Sequence, residues 1–425
     1  MTSNEKKKIY LDYAATTPVD KEVFEAMKPY FCEKFGNPSS SHQFGKEARE
    51  AVEAARKQVA DFLRCKPEEI IFTSGATESN NLAVKGVIKS FKIEQVPRKR
   101  EQVSSFKSRP HIITSAIEHS SVLDVCRALE KDGSAEVTYL PVNKEGLVEI
   151  EEIEGAIGNN TVLVSIMYAN NEIGTIQPVE EIGDLIKNKN KENFSTGSKN
   201  KIFFHTDAAQ AVNYLDCNVG KLGVDLLSIS AHKFYGPKGV GALFVKEGTS
   251  IARIQDGGGQ ESKMRAGTHN VPGIVGLGEA IARISVQGGS ASGGTNEDIR
   301  FKSEKILKLK NKLIDGILRD VPNAKLNGSR EKRLPNNVNI SFPGAEGEAI
   351  LLALDFEGIA VSTGSACASS DLKPSHVLVA LGLGPEDYHS SVRFSLGKYT
   401  TKEEIDQVLA VLPGIIERLR KISGK

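Results

Sequence analysis

Seven short apolar runs, separated by stretches with helical spacing, constrain this chain more than any other feature. They lie at residues 70–73, 111–115, 137–140, 162–167, 202–206, 226–230 and 242–245. Residues 46–63 carry alanines and valines at helical spacing, the chain from Glu78 onward reads the same way, and residues 120–131 and 179–187 fill two of the intervals. Strands that alternate with helices predict an α/β domain built on a mostly parallel sheet. Past about residue 287 the texture changes. Residues 288–294 are rich in Gly and Ser and read as a linker, followed by a long helical pattern at 299–318. A strand-like run at 337–342, a helix at 346–357 and a helical C-terminus from Lys402 complete an α+β pattern, so a second domain is expected here. Two polar stretches without periodicity, 92–109 and 187–201, are expected to be solvated surface loops.

Charge and cysteine usage exclude several function classes. The 425 residues hold 55 Lys and Arg against 54 Asp and Glu, which leaves no basic excess for neutralising nucleic-acid phosphates. No apolar run approaches the roughly 18 to 20 residues that cross a bilayer, so no membrane partner is expected. Residues 1–8 are polar and lysine-rich, unlike a secretory signal. The five cysteines (Cys32, Cys65, Cys126, Cys217 and Cys367) are odd in number and widely spaced, which argues against a disulfide framework or a thiolate metal site. A reducing, cytoplasmic setting and no metal are the expectation.

Four clusters carry chemistry. In the first, a β-like run ends in Ser230-Ala231-His232-Lys233 and a Gly/Pro turn follows. A lysine where a buried strand meets a turn is partly desolvated, which favours the neutral amine that forms Schiff bases. Alone, Lys233 also reads as an ordinary strand-end lysine. In the second, the preceding run ends in Asp207-Ala208-Ala209-Gln210. A carboxylate at that end of a sheet stands where α/β folds bind ligands, and pyridoxal 5'-phosphate (PLP) needs one against its ring nitrogen; a helix N-cap is the plainer alternative. In the third, Ser74-Gly75-Ala76-Thr77 opens a helix with small residues, so that backbone N–H groups and the helix dipole can meet a phosphate. It matches neither GxGxxG nor the P-loop, which disfavours a dinucleotide or ATP. In the fourth, Glu118-His119 follows a strand; the imidazole could stack on a flat cofactor and shuttle protons, or be a half-buried loop histidine.

Eight motifs in order give these pieces a family likeness. They are Tyr-Leu-Asp-Tyr-Ala-Ala-Thr-Thr-Pro at 10–18, Phe-Thr-Ser-Gly-Ala-Thr-Glu-Ser at 72–79, Asn-Asn-Glu-Ile-Gly at 170–174 and Asp-Ala-Ala-Gln at 207–210. Ser-Ala-His-Lys at 230–233, Arg-Ala-Gly-Thr at 265–268, Ser-Thr-Gly-Ser-Ala-Cys-Ala-Ser at 362–369 and Arg-Phe-Ser-Leu-Gly at 393–397 follow. Together they resemble the class V branch of the fold-type I PLP enzymes, and within it the cysteine desulfurases of the nitrogen-fixation and iron–sulfur-cluster type. The Ser/Ala-rich context of Cys367 resembles the group with a long cysteine loop, with departures at Thr363 and Ala368.

The resemblance implies a fold and a set of roles. The fold would be a large domain, residues 20–285, with a mixed, mostly parallel seven-stranded sheet, beside a small α+β domain of residues 1–19 and 286–425. Lys233 would hold PLP as a Schiff base and move the α-proton, and Asp207 would pair with the pyridinium nitrogen. Gln210 and Asn170 would face the phenolic oxygen, and His119 would stack on the ring. Thr77, Ser230 and His232, with N–H groups near Gly75 and Ala76, would hold the phosphate. Thr268 would reach the phosphate of a second subunit, making a homodimer. Arg393, with Asn170 nearby, would bind the carboxylate of L-cysteine. Cys367 would receive the sulfur as a persulfide, with alanine as the other product, and pass it to an iron–sulfur scaffold or another sulfur-acceptor protein. It could contact an iron–sulfur cluster transiently. The alternatives are a selenocysteine lyase or an aminotransferase of the same branch, or a scaffold without activity; intact Lys233, Asp207 and Cys367 argue against the scaffold.

Overall fold

The computed structural model describes residues 8–94, 109–195, 201–286, 296–363 and 374–424. Its twelve strands are β1 Ile9–Tyr10, β2 Ile70–Thr73, β3 His111–Ser115, β4 Glu136–Leu140, β5 Thr161–Ser165, β6 Phe203–Asp207, β7 Leu226–Ser230, β8 Gly241–Val245, β9 Lys325–Leu326, β10 Asn337–Ser341, β11 Ile359–Ala360 and β12 Ser391–Ser395. The seven runs expected from the sequence are β2 to β8, and they form one sheet in the order β2-β8-β7-β6-β5-β3-β4. The pairs within β3 to β7 are parallel, whereas β8 runs antiparallel to both β2 and β7. Every residue of β3, β5, β6 and β7 is buried, as continuous apolar runs in a sheet covered on both faces should be. The edge strand β4 is partly open and reads Glu-Val-Thr-Tyr-Leu, which alternates more.

Helices cover both faces. Gln43–Leu63 packs its Ala48, Val52, Ala55 and Val59 against Val271–Val286, in one apolar cluster with Ile274, Leu277 and Ile281. A side-chain carbon on Gly278 would come within 2.8 Å of Ala55, so the two backbones can approach this closely only with glycine there. On the other face Ala76–Glu94 and Ser120–Lys131 bury Leu82, Val84, Val87, Val122 and Val125 in a second cluster.

A separate core holds the C-terminal residues. β12, β10 and β9 form an antiparallel sheet, and β1 pairs with β11 in parallel. Ile9 and Leu11 are buried with Val338, Ile340, Phe394 and Leu412, so the first described strand packs with the last third of the chain. The helices Asn296–Asp320, Gly347–Phe356 and Lys402–Ile422 match the periodic stretches read from the sequence.

One expectation is corrected. Residues 187–195 are not a loop, because the helix Val179–Ser195 runs through them. Polar residues sustain it through specific pairs. Lys189 reaches Glu154 at 2.8 Å and Glu192 at 3.4 Å, and Asn190 exchanges two 2.8 Å hydrogen bonds with the backbone of Ile202. Residues 92–94 likewise close the helix Ala76–Glu94. Residues 95–108 of the first polar stretch, the glycine-rich linker and Cys367 lie outside the described residues.

Candidate active site

The carboxyl ends of β3, β5, β6 and β7 open into one cleft of about 760 Å³. Open α/β sheets bind ligands at this edge, where each strand hands its last residue to a turn. Gly75, Ala76, Thr77, His119, Asp207, Gln210, Ser230, His232, Lys233 and Arg393 all line it, although 318 positions separate the first from the last.

Local structure explains each placement. After β2 the chain turns at Gly75, whose φ of +148° suits glycine, and enters the helix at Ala76. As first residues of that helix, Ala76 and Thr77 have N–H groups without an intrahelical partner. A side-chain carbon on Gly241 would stand 2.7 Å from the Gly75 backbone, so β8 can underlie this turn only as glycine. The Ser230 Oγ lies beside Gly75. His232 shares a 3.1 Å hydrogen bond between its Nδ1 and Thr16, and burial, with Lys233 and Lys238 nearby, lowers its pKa to about 4. The segment from Asp12 to Thr17 forms a strap over these residues. Lys233 Nζ donates to the carbonyls of Ala14 and Ala15 at 2.7 and 2.8 Å, and Gln210 donates to Ala14 at 3.0 Å.

Asp207 ends β6 and is almost wholly buried. Its carboxylate accepts from Asn80 Nδ2 at 2.7 Å and from the Ala209 N–H at 2.9 Å, with no cation paired to it among the described residues. A buried carboxylate held only by neutral donors leaves a place for a positive group. Asn80 also donates to Ser121 Oγ at 2.8 Å, which sits 2.9 Å from His119 Nδ1. One chain of contacts thus runs from Asp207 to the imidazole. The Ser121 N–H points at the same Nδ1, at 3.1 Å, so Nδ1 is an acceptor and the neutral ring carries its proton on Nε2. Burial, with Lys233 nearby, lowers the His119 pKa. Beneath it Glu118 is fully buried and its pKa is pushed up to about 8 by desolvation, although Ser115 and the Met167 N–H donate to it.

Arg393 is 2% exposed and projects from β12. Nη2 meets Asp12 at 2.8 Å and Nη1 meets the Asn171 carbonyl at 2.9 Å, while Nε finds no acceptor. Nε is thus a buried donor without an acceptor, and Asp12 holds Nη2 beside it.

Asn170 and Thr268 do not line the cleft, and Cys367 lies outside the described residues. The Asn170 side chain is fully buried and does not line the cleft; Asn171 and Glu172 do. Its Nδ2 donates to Ile117 at 2.8 Å, and its Oδ1 accepts from the N–H groups of Glu172 and Ile173. Asn170 thus holds this turn through the backbone. Thr268 is exposed and outside the cleft of its own chain. Its loop is fixed nonetheless, since Arg265 pairs with Glu78 at 2.9 Å and buried Glu261 binds Arg56 through both oxygens. Asn80, Asp12 and His376 are site residues that the sequence reading left without a role; Asp12 lies inside a quoted motif and Asn80 directly follows one, but their partners are 381 and 127 positions away.

The chain matches the Aminotransferase class-V family model over residues 9–408. It is 50% identical over 418 residues to the protein named cysteine desulfurase IscS from Dictyoglomus turgidum, covering 98% of this chain and 97% of that one. A solved NifS-like protein superposes with a TM-score of 0.83 at 38% identity, covering 97% of this chain and all of the other. A solved structure of SspA in complex with cysteine superposes with a TM-score of 0.74 at 37% identity, covering 93% of this chain and all of that one. The chain belongs to the aminotransferase class-V family, among its cysteine desulfurases.

Proposed function

We propose that the chain binds PLP at Lys233 and uses it to take sulfur from L-cysteine, leaving alanine and a persulfide on Cys367. The observation that carries this is the meeting of Lys233, uncompensated Asp207, His119 and the part-used fork of Arg393 in one cleft. These residues fit the cofactor. Lys233 offers the amine for its aldehyde, Asp207 the counter-charge for its ring nitrogen, and the helix opening at Ala76, with Thr77, Ser230 and His232, the donors for its phosphate. When bound, PLP supplies an electron sink for the bond electrons released at the substrate α-carbon.

The protein's own groups do the rest. Arg393, which lines the cleft, would receive the substrate carboxylate, while Asp12 and the Asn171 carbonyl keep the guanidinium plane still. His119, with its proton on Nε2, would stack on the bound ring, and Gln210 is held by the strap. Lys233 Nζ, once displaced, takes and returns the α-proton. The Cys367 thiolate attacks the substrate sulfur; the carbon–sulfur bond breaks, a sulfur–sulfur bond forms, and the carbon takes a proton. Cys367 is five residues beyond Ser362, whose N–H and carbonyl pair with Arg393. A span of five residues reaches at most about 17 Å. The described thiols suit the task less. Burial pushes the Cys65 and Cys126 pKa values up to about 12 and that of Cys217 higher, and Cys32 does not line the cleft.

We also infer a division into a large domain, residues 20–285, and a small one of residues 1–19 and 286–425, in keeping with the separate apolar clusters. A homodimer accounts for an exposed Thr268 on a firmly held loop, and an iron–sulfur scaffold or another acceptor protein would take the sulfur. The free state of Cys32, Cys65, Cys126 and Cys217 suits a reducing, cytoplasmic setting. Among the described residues no helix is long and apolar enough to cross a membrane. The test is product analysis: the PLP-loaded protein given L-cysteine and a reductant should release alanine and sulfide in equal amounts. Pyruvate as the main carbon product, or no alanine, would overturn the reading.

A further inference from the structure

The cleft contains a second imidazole. His376 opens the short helix His376–Ala380 and lines the same cleft as His119, Asp207 and Lys233. Its Nε2 lies 2.9 Å from the backbone carbonyl of Glu118. A carbonyl oxygen can only accept, so Nε2 carries the proton and the other ring nitrogen, Nδ1, keeps its lone pair. Nδ1 has no hydrogen-bond partner among the described residues. The helix itself is held in place. Ser375 Oγ donates to Glu172 at 2.5 Å, and Val377 and Leu378 pack with Ile117, Met167 and Ile173.

The two histidines are therefore wired in opposite senses. His119 spends Nδ1 on the Ser121 N–H and offers an N–H donor. His376 spends its N–H on Glu118 and offers an acceptor. Among the titratable groups that share its contacts or its cleft are Glu118, His119, Glu172, Asp207, Lys233 and Arg393.

We propose that His376 is a catalytic proton acceptor for the incoming amino acid, taking the proton of its α-ammonium group through Nδ1. This rests on the amino-acid substrate proposed above. An ammonium nitrogen has no lone pair, so it must lose a proton before it can attack the Lys233 linkage. One N–H bond breaks, its electron pair stays on the amine nitrogen, and the proton bonds to Nδ1. His376 becomes an imidazolium that still donates Nε2–H to Glu118, and the open cleft lets it return the proton to water or product. No oxidant or reductant is involved.

Two variants separate this role from a structural one. In His376→Gln the amide N–H can replace the bond to Glu118, but nothing titrates. His376→Ala removes both. The rate at which L-cysteine perturbs the cofactor absorbance is followed by stopped flow from pH 6 to 9 in the PLP-loaded protein. Both variants should associate about 10²-fold more slowly at pH 7, the lower end of what general base catalysis contributes. Their rates should climb about tenfold per pH unit from pH 7 to 9, as free amine replaces ammonium, so that the deficit of about 10²-fold closes towards pH 9. Added imidazole should restore His376→Ala in part. Independently of turnover, ¹⁵N spectra of the histidine rings, assigned by loss of one set in His376→Gln, should show the His376 proton on Nε2. A wild-type rate and pH profile in His376→Gln, or a proton on Nδ1, overturns the proposal. Normal association by wild type without alanine release overturns the desulfurase reading instead, and leaves His376 standing.

Discussion

Removing Arg56 should loosen the loop that carries Thr268 and cost a large share of the stability. Glu261, Ser262 and Lys263 have φ values of +43°, +54° and +68°, three successive left-handed residues without a glycine. Such residues cost roughly 1–2 kcal/mol each, so about 3–6 kcal/mol must be offset locally. The Glu261 carboxylate supplies the offset. It accepts from Arg56 at 2.8 and 2.9 Å, from the Phe72 N–H at 2.7 Å, and meets His269 Nε2 at 2.6 Å. Despite desolvation, these partners hold its pKa at about 2, against an ordinary 4.5. That shift corresponds to about 3 kcal/mol. Because the folded carboxyl ionises below its unfolded value, the contribution is whole above about pH 4.5 and fades as the pH falls towards 2. Arg56→Met strands a buried carboxylate and should destabilise by about 3–5 kcal/mol at pH 7, read from urea denaturation. At pH 3 its deficit should be clearly smaller. Adding Glu261→Gln removes the stranded charge, so the double variant should lose less than the sum of the single losses. A loss under about 1 kcal/mol in Arg56→Met, or strict additivity, would refute the argument.

Three other outcomes follow from the cleft. Lys233→Ala should lose the borohydride-reducible cofactor link; an adduct mapping to another lysine would show the assignment to be wrong. Arg393→Lys keeps the charge but loses the fork, so it should raise KM for L-cysteine about tenfold or more while PLP stays bound, and an unchanged KM speaks against carboxylate recognition there. Asn80→Ala removes a donor to buried Asp207 and should lower stability by about 2–3 kcal/mol, with weaker PLP retention measured by dialysis. Stability and retention like wild type would show that the contact is idle.

The order of buried strands was legible because each is a short apolar run between turn-forming residues. β3 and β7 match their runs to the residue. The antiparallel direction of β8 was not legible, since a strand reads alike in both directions and only the close connection after Lys233 turns the chain back. Lys233, Asp207 and the Gly75 turn could be found because each combines a local pattern with a strand end. Asp12 and Asn80 could not be assigned, because their meaning lies in Arg393 and Asp207, far along the chain. The bonds from Asn170 to the N–H groups of Glu172 and Ile173 were likewise not legible in its local sequence. His376 gave no signal at all, since only tertiary packing sets it against Glu118.

The most direct test of the central claim is a single turnover of L-cysteine on the PLP-loaded protein without reductant, followed by mass spectrometry of the intact chain and its peptides. One sulfur atom, about 32 Da, should be added at Cys367 as one equivalent of alanine forms. Cys367→Ser should still perturb the cofactor absorbance with L-cysteine, yet carry no added sulfur and release almost no alanine. Sulfur on another cysteine, or undiminished alanine from Cys367→Ser, would contradict the account.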